Sequence, residues 1–327
     1  MLARTRYRAI PAVLLAGLVG LVLLTPIARA DTPGYHEYVA LGDSWTADVV
    51  IVGTAGTPTA KYVPIDCFQS TFDYPKQVAR KLGVTKFFDA SCGSATTQDF
   101  ADPQPGLPLG GTNPPQFSHL TPSTDLVTVG IGGNDAGLAS AIIDCLNVTG
   151  SNLPLPYPLA ASCKAKWTAG GVDRMSGNIK AAEPKVVDAL RGVHRRAPNA
   201  DVFLVNYLAG IRGPGCYPLL QASNADQVWL AAKLSELNAM LARAADEADA
   251  ELVDTYTASI GHDVCKLPTV RYVEGFIPLS LNQPAVAVPF HPNSAGADSQ
   301  AATVVSAING SHRRSDSRGD FDLGALF

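Results

Sequence analysis

Five short stretches of the chain, at 38–41, 86–89, 126–130, 202–206 and 252–254, are apolar or β-branched at nearly every position, not at every second one. A strand with one wet face alternates; one that runs apolar throughout must be covered on both sides. Helical spacing fills the intervals between these runs. One helix is expected over 74–82, closed by Gly83. A second is expected over 171–196, broken or begun afresh near Pro184 because proline supplies no N–H. The clearest covers 225–248, where Val228, Ala231, Leu234, Leu237, Leu241 and Ala244 recur on one face. A last helix follows Asn293 and runs through Ala301 to Ile308. Strand alternating with helix predicts a doubly wound parallel sheet with helices on both faces. Such a sheet places its sites beyond the carboxyl ends of its strands.

The first thirty residues stand apart from this pattern. Arg4, Arg6 and Arg8 precede an uncharged run from Ala9 to Ala28, and Ala28-Arg29-Ala30 presents small residues where a signal peptidase reads. Residues 1–30 are therefore read as a signal peptide cleaved before Asp31. A retained anchor is the alternative, against which Pro11, Pro26 and the cleavage site count. No second spanning segment follows, so no membrane span is expected once the leader is gone. Residues 31–310 then form a single domain, its Pro- and Gly-rich stretches at 101–122 and 151–158 being surface loops. Residues 311–327, polar after Gly310, are expected to be a disordered C-terminal tail.

Charge narrows the partners. Removing the leader's four arginines from 25 basic residues leaves 21 against 29 acidic, a net charge of −8. No basic block precedes His312-Arg313-Arg314, and phosphate backbones need clustered Lys and Arg, so nucleic acid is not expected. Six cysteines (Cys67, Cys92, Cys145, Cys163, Cys216 and Cys265) in an exported chain read as disulfides. None forms a C-x-x-C pair, which counts against zinc or redox use. Six allow fifteen pairings, among which the sequence alone does not choose. Pairing of neighbours (67–92, 145–163, 216–265) closes short loops and is the working expectation.

Four stretches carry possible chemistry. In "LGDSWTAD" Ser44 follows the first strand, and Gly42 lets the backbone turn sharply. A serine there would sit where a helix presents its amides, which favour negative charge; it would equally serve as an ordinary N-cap. The nucleophile elbow G-x-S-x-G is not met, since Thr46 stands at its last glycine. "GIGGND" closes the third run and fails as a dinucleotide loop because Asp135 replaces the third glycine. It delivers Asn134, whose carboxamide is a neutral donor fit for a developing oxyanion. "DASCGS" follows the second run and offers the Gly93 N–H. "PFHPN" precedes the last helix and holds His291 between prolines. Each stretch alone has a bland reading. Together they bring a nucleophile, donors and a base to one rim of the expected sheet.

"GDSWTA", "SCGSAT", "GIGGND" and "HPN", in this order, resemble the four blocks of the SGNH or GDSL hydrolases, an esterase and lipase superfamily. The resemblance spans almost the whole chain after the leader. It implies a three-layer α/β/α sandwich of flavodoxin-like type with a five-stranded parallel sheet, in agreement with the strand count. It implies Ser44 as nucleophile, His291 as general base and then acid, and an oxyanion hole from the N–H groups of Ser44 and Gly93 and the Asn134 side chain. The leader and six cysteines resemble secreted actinobacterial members, in which three disulfides join sequence neighbours. One position departs from the pattern. The family's Asp three residues before the histidine is Val288 here. The Val288 carbonyl is then expected to accept the His291 Nδ1–H, giving a Ser-His dyad; Asp263, Glu274 or Asp298 are the carboxylates that could complete a triad instead.

The function expected is a secreted serine ester hydrolase, carboxylesterase or lipase, working through an acyl-enzyme without metal or cofactor. The chain is expected to be a monomer whose partner is an ester: lipid, short-chain or acylated glycan. Few large aromatics fall outside core positions, so no open acyl groove is evident, although Trp45 could line a pocket. The alternatives are an inactive relative that binds cell-envelope glycan or lipid, and an acyltransferase or acetyl esterase acting on glycans.

Overall fold

The computed structural model describes residues 34–53, 56–146, 162–280 and 285–323, with side chains up to 311. The leader, the 151–158 loop and residues 324–327 lie outside the described residues. The five apolar runs form β1 (Glu37–Gly42), β3 (Lys86–Asp89), β4 (Leu126–Gly130), β5 (Asp201–Val205) and β6 (Glu251–Val253). They make one sheet in the order β3-β1-β4-β5-β6, and every neighbouring pair is parallel. All six residues of β1 and all five of β4 are buried, as strands covered on both faces require.

The two-residue period divides the core. Val39 and Leu41 of β1, with Val127 and Val129 of β4, pack on one side against α4 (Arg174–Arg196) and α5 (Asn224–Glu247). Tyr38 and Ala40, with Leu126, face the other side, against α1 (Tyr74–Leu82) and α7 (Ser294–Leu323). The result is a three-layer α/β/α sandwich. Short α2 (Leu138–Cys145) and α3 (Cys163–Trp167) pack with the first group, and α6 (Thr255–Ala258) follows β6. Disulfides join Cys67–Cys92, Cys145–Cys163 and Cys216–Cys265, each to its sequence neighbour. Among the described residues no helix is long and apolar enough to cross a membrane.

Two helices differ from the sequence reading. α4 is continuous from Arg174, with Pro184 inside it. A mid-helix proline costs about 3 kcal/mol. Met175, Ile179 and Ala182 before it and Val186, Leu190 and Val193 after it are buried on the same core face, and that shared burial holds both halves in line. α7 runs on through Leu323, so the segment after Gly310 begins as helix and not as disordered tail. Polarity alone does not end a helix, and no proline stands between 311 and 323 to stop it.

A further element was not anticipated. β2 (Val50–Gly53) and β7 (Ala285–Ala287) form a separate antiparallel ribbon, with an irregularity between Val50 and Val52. Its signal was the apolar run from Val49 to Val52.

The sheet's winding locates the site. The chain moves from β1 outward to β3, then crosses back to place β4 on the other flank of β1. The carboxyl ends of β1 and β4 therefore diverge into a crevice. Here the backbones crowd: a Cβ at Gly42 would lie 2.2 Å from Thr46 Oγ1 and 2.7 Å from the Gly130 carbonyl. Gln116, buried in the 101–122 loop, braces the same glycine, accepting its N–H at 2.8 Å and donating to its carbonyl at 2.9 Å. Gly42→Ala is accordingly expected to destabilise the fold by about 1–3 kcal/mol through overpacking. Urea unfolding would read this as a lower midpoint with an unchanged slope.

Candidate active site

Beyond β1 the chain turns through residues 43–49 in bends and turns, not in a regular helix. Ser44 stands at the start of this turn, half-buried, and its N–H has no acceptor among the described residues. His291 reaches it from the loop after β7. The Nε2 atom of His291 lies 2.8 Å from Ser44 Oγ, across 247 residues of sequence. The ribbon makes this meeting possible, because Val288 N–H donates to the Val49 carbonyl at 3.0 Å. On its other flank the histidine loop pairs with 273–274: Glu274 N–H donates to the His291 carbonyl and Phe290 N–H to the Glu274 carbonyl.

The ring's second nitrogen departs from the expected partner. Nδ1 lies 2.9 Å from the Pro289 carbonyl, whereas the Val288 carbonyl accepts the His291 backbone N–H at 3.1 Å. The turn from 288 to 291 folds the chain back, with Phe290 at a φ of 62°, and brings the nearer carbonyl under the ring. A carbonyl accepts only, so Nδ1 carries the proton and Nε2 faces Ser44 unprotonated. Among the described residues no carboxylate bonds the ring. Glu274 is engaged by Arg271, Asn293 and the Leu279 N–H. Asp263 accepts the Cys265 N–H, and Asp298 has no hydrogen bond to His291.

The donors are arranged unevenly. Asn134 follows β4, and its Nδ2 donates one hydrogen to the Ala95 carbonyl at 2.9 Å, the second having no acceptor among the described residues. Asp135 fixes the same turn by accepting the N–H and hydroxyl of Thr97 at 3.0 and 2.7 Å. Gly93 does not present a free N–H. It donates to the Cys67 carbonyl at 3.2 Å, because the Cys67–Cys92 disulfide draws that strand of backbone against it. The next residue, Ser94, sits at a φ of 64° and has an N–H without an acceptor among the described residues.

Ser44, Asn134 and His291 open into a cavity of about 320 Å³ whose remaining walls are mostly apolar. Leu138, Ile142, Ile143 and Leu146 come from one side of α2 and its end. Phe276, Phe290 and Trp45 complete the enclosure, the Trp45 ring meeting Tyr207 edge-on at 5.3 Å. The groove's wall is a short aliphatic helix after "GIGGND" and not a set of aromatics, so the scarcity of aromatics in the sequence does not reveal it. Three ionisations in the cavity wall are displaced, the Tyr207 phenol being pushed up by burial and by the Asp43 carboxylate beside it. Burial lowers the His291 imidazole to about 4, partly opposed by the Pro289 and Val288 carbonyls. Burial raises Asp43 to about 7, against the Tyr207 hydroxyl and the Trp45 N–H, which favour its charged form.

Comparison with known proteins places the chain in a family. The model of the GDSL-like lipase/acylhydrolase family matches residues 40–298, and the chain belongs to that family. It is an ester hydrolase. Lipase 2 of Streptomyces coelicolor is 34% identical over 273 residues, which are 82% of this chain and 84% of that protein. A lipase of Streptomyces rimosus is 27% identical over 70% of this chain and 73% of its own length. Among solved structures, phospholipase A1 from Streptomyces albidoflavus superposes with a TM-score of 0.62 at 22% identity, covering 83% of this chain and 99% of that one. The extracellular lipase of Streptomyces rimosus gives 0.59, also at 22%, over 83% of this chain and 99% of its own. These two share the fold.

The lowered His291 sets an expected pH profile. A neutral imidazole is what a general base at this position requires, so kcat/KM should hold as pH falls past 6.5 and drop only towards about 4. Initial rates on an uncharged soluble ester across this range would measure it, an inflection near 7 that disappears in Asp43→Asn belonging to Asp43; a midpoint at or above 6.5 that persists in that variant would contradict the lowered imidazole.

Proposed function

We propose that the protein is a secreted lipase-type carboxylic ester hydrolase in which Ser44 and His291 act as a dyad. The observation that carries this reading is the 2.8 Å contact between Oγ and Nε2 at the mouth of an apolar cavity. In the first half-reaction Ser44 Oγ attacks the ester carbonyl carbon while Nε2 takes its proton. The oxyanion meets the Ser44 N–H and the free Asn134 carboxamide hydrogen, with the Cys92–Ser94 turn offering a third N–H. One such donor contributes roughly a hundred- to a thousandfold in rate. The imidazolium then gives its proton to the leaving alkoxide, the carbonyl reforms, and the alcohol departs from an acyl-Ser44 ester. Water, deprotonated by the same nitrogen, releases the acid. The Pro289 carbonyl holds the ring's tautomer throughout.

The cavity's aliphatic wall favours a fatty acyl chain over acetyl groups on a glycan, which would leave Leu138, Ile142 and Leu146 without a partner. The lipases among its relatives support the same substrate class. Export is supported by the leader and by the three disulfides, which persist in oxidising compartments.

Ser44→Ala should reduce ester hydrolysis at least about a thousandfold and abolish labelling by a fluorophosphonate probe. Labelling that survived this change would remove Ser44 from its role. Asp263→Asn and Asp298→Asn should leave kcat within about threefold, since a dyad draws nothing from them. A profile across p-nitrophenyl esters from acetate to palmitate should favour acyl chains longer than acetate. Ile142→Trp, which fills the cavity, should move that preference to shorter esters.

A further inference from the structure

Tyr207, just past the end of β5, makes contacts that none of the four sequence blocks accounts for. Its hydroxyl donates to Asp43 Oδ2 and accepts the Gly133 N–H at 2.7 Å. Both partners are immediate neighbours of the reacting groups. Asp43 precedes Ser44, and its other oxygen accepts the Trp45 N–H at 2.9 Å, so this one carboxylate brackets the serine from both sides. Gly133 precedes Asn134. A single buried oxygen thus stands between the loop that carries the nucleophile and the loop that carries the carboxamide donor.

The tyrosine is itself fixed. Its backbone N–H donates to Asn238 Oδ1 at 3.1 Å, and Asn238 Nδ2 returns a bond to its carbonyl at 2.8 Å. The Trp45 ring lies edge-on against it. Gly133 is shaped to the contact, since a Cβ there would fall 2.8 Å from the phenol oxygen.

We infer that Tyr207 is a positioning residue, whose hydroxyl sets the spacing between Ser44 and the Asn134 donor by tying Asp43 to Gly133. This rests on the reading of Ser44 and Asn134 given above. The physical argument is one of tolerance. A donor aimed at an oxyanion must hold within about 0.5 Å, and a misplacement of about 1 Å costs about a hundredfold. The Asp43 N–H and the Thr46 hydroxyl tie the nucleophile turn to the Gly130 carbonyl at 3.0 and 3.1 Å, at the last residue of β4. Beyond Gly130 no ladder joins the two loops among the described residues, so another bond must hold Gly133 and Asn134 to that turn. The hydroxyl supplies it with a donor and an acceptor, and neither is left over to touch substrate.

Tyr207→Phe removes that one oxygen. The test is kcat per active site, with sites counted by stoichiometric fluorophosphonate titration of Ser44, so that unfolded molecules drop out. The expected result is a fall of tenfold or more in kcat per titrated site, with KM for a soluble ester within about twofold. A merely structural residue would lower the melting temperature and the titrated fraction while leaving kcat per site less than tenfold reduced; that result, or a change confined to KM, overturns the inference. If Tyr207→Phe yields no folded protein, Asp43→Asn is judged by the same criterion, because Tyr207 and Trp45 bond different oxygens of Asp43 and in a carboxamide one of the two would meet an NH2 instead of an acceptor. Failure here leaves the main reading intact, since that reading falls on Ser44→Ala retaining activity or labelling, which Tyr207→Phe does not touch.

Discussion

The hydrogen bond from Val288 to the Val49 carbonyl is the contact on which the site's assembly turns. The parallel sheet brings Ser44, the 92–94 turn and Asn134 to one edge as a matter of topology, because each follows a strand of that sheet. His291 follows none of them. It is delivered by the β2–β7 ribbon, which starts immediately after the nucleophile turn and ends immediately before the histidine loop. A ribbon this short has little stability alone. It is held from the far side by the pairing of 290–291 with 274 and below by Asn293, whose carboxamide donates to Arg271 and Glu274 and accepts the N–H groups of Ala295 and Gly296. Asn293 therefore anchors the loop and caps α7 at once.

That bracing explains the fate of Glu274. It is a buried carboxylate whose own backbone pairs with His291, the best placed of the three acids considered as a third catalytic member. Its oxygens instead meet Arg271, a pairing that burial makes hard to give up, since parting the pair would leave an uncompensated charge. The acid near the base serves the scaffold, and the imidazole is left with a main-chain dipole.

Much of this was legible in the residues. The five strands follow from runs without alternation, and the ordered blocks pointed to Ser44, Asn134 and His291, which the fold brings to one crevice. What could not be read was set by tertiary contact. Nothing local distinguishes the Pro289 carbonyl from that of Val288, because the choice depends on a turn with Phe290 at positive φ. Gly93 looked free because the chain it bonds, at Cys67, arrives through a disulfide from 25 residues away. Tyr207 sits past β5, in a stretch with no motif. The acyl wall of α2 was hidden by its brevity, and the unbroken α4 by a proline that burial on both sides overrides.

Substituting a carbonyl for a carboxylate changes how the chemistry must be supported. A carboxylate raises the basicity of its histidine and steadies the imidazolium; a dipole does so weakly, and burial here pulls the ring down further. In the proposed dyad the gain is that the base is unprotonated over a wide range of pH. The loss is driving force for taking the serine proton. A weak base leaves more of the transition state's stabilisation to the oxyanion side, where fixed dipoles act best in a dry site. An enzyme of this design should therefore be unusually sensitive to the placement of its donors. That sensitivity gives a reason for the polar bracing by Asp43, Tyr207 and Gly133, which are buried, and by Asp135 and Thr97, which are half-buried, at a rim where apolar packing would have been the cheaper filling.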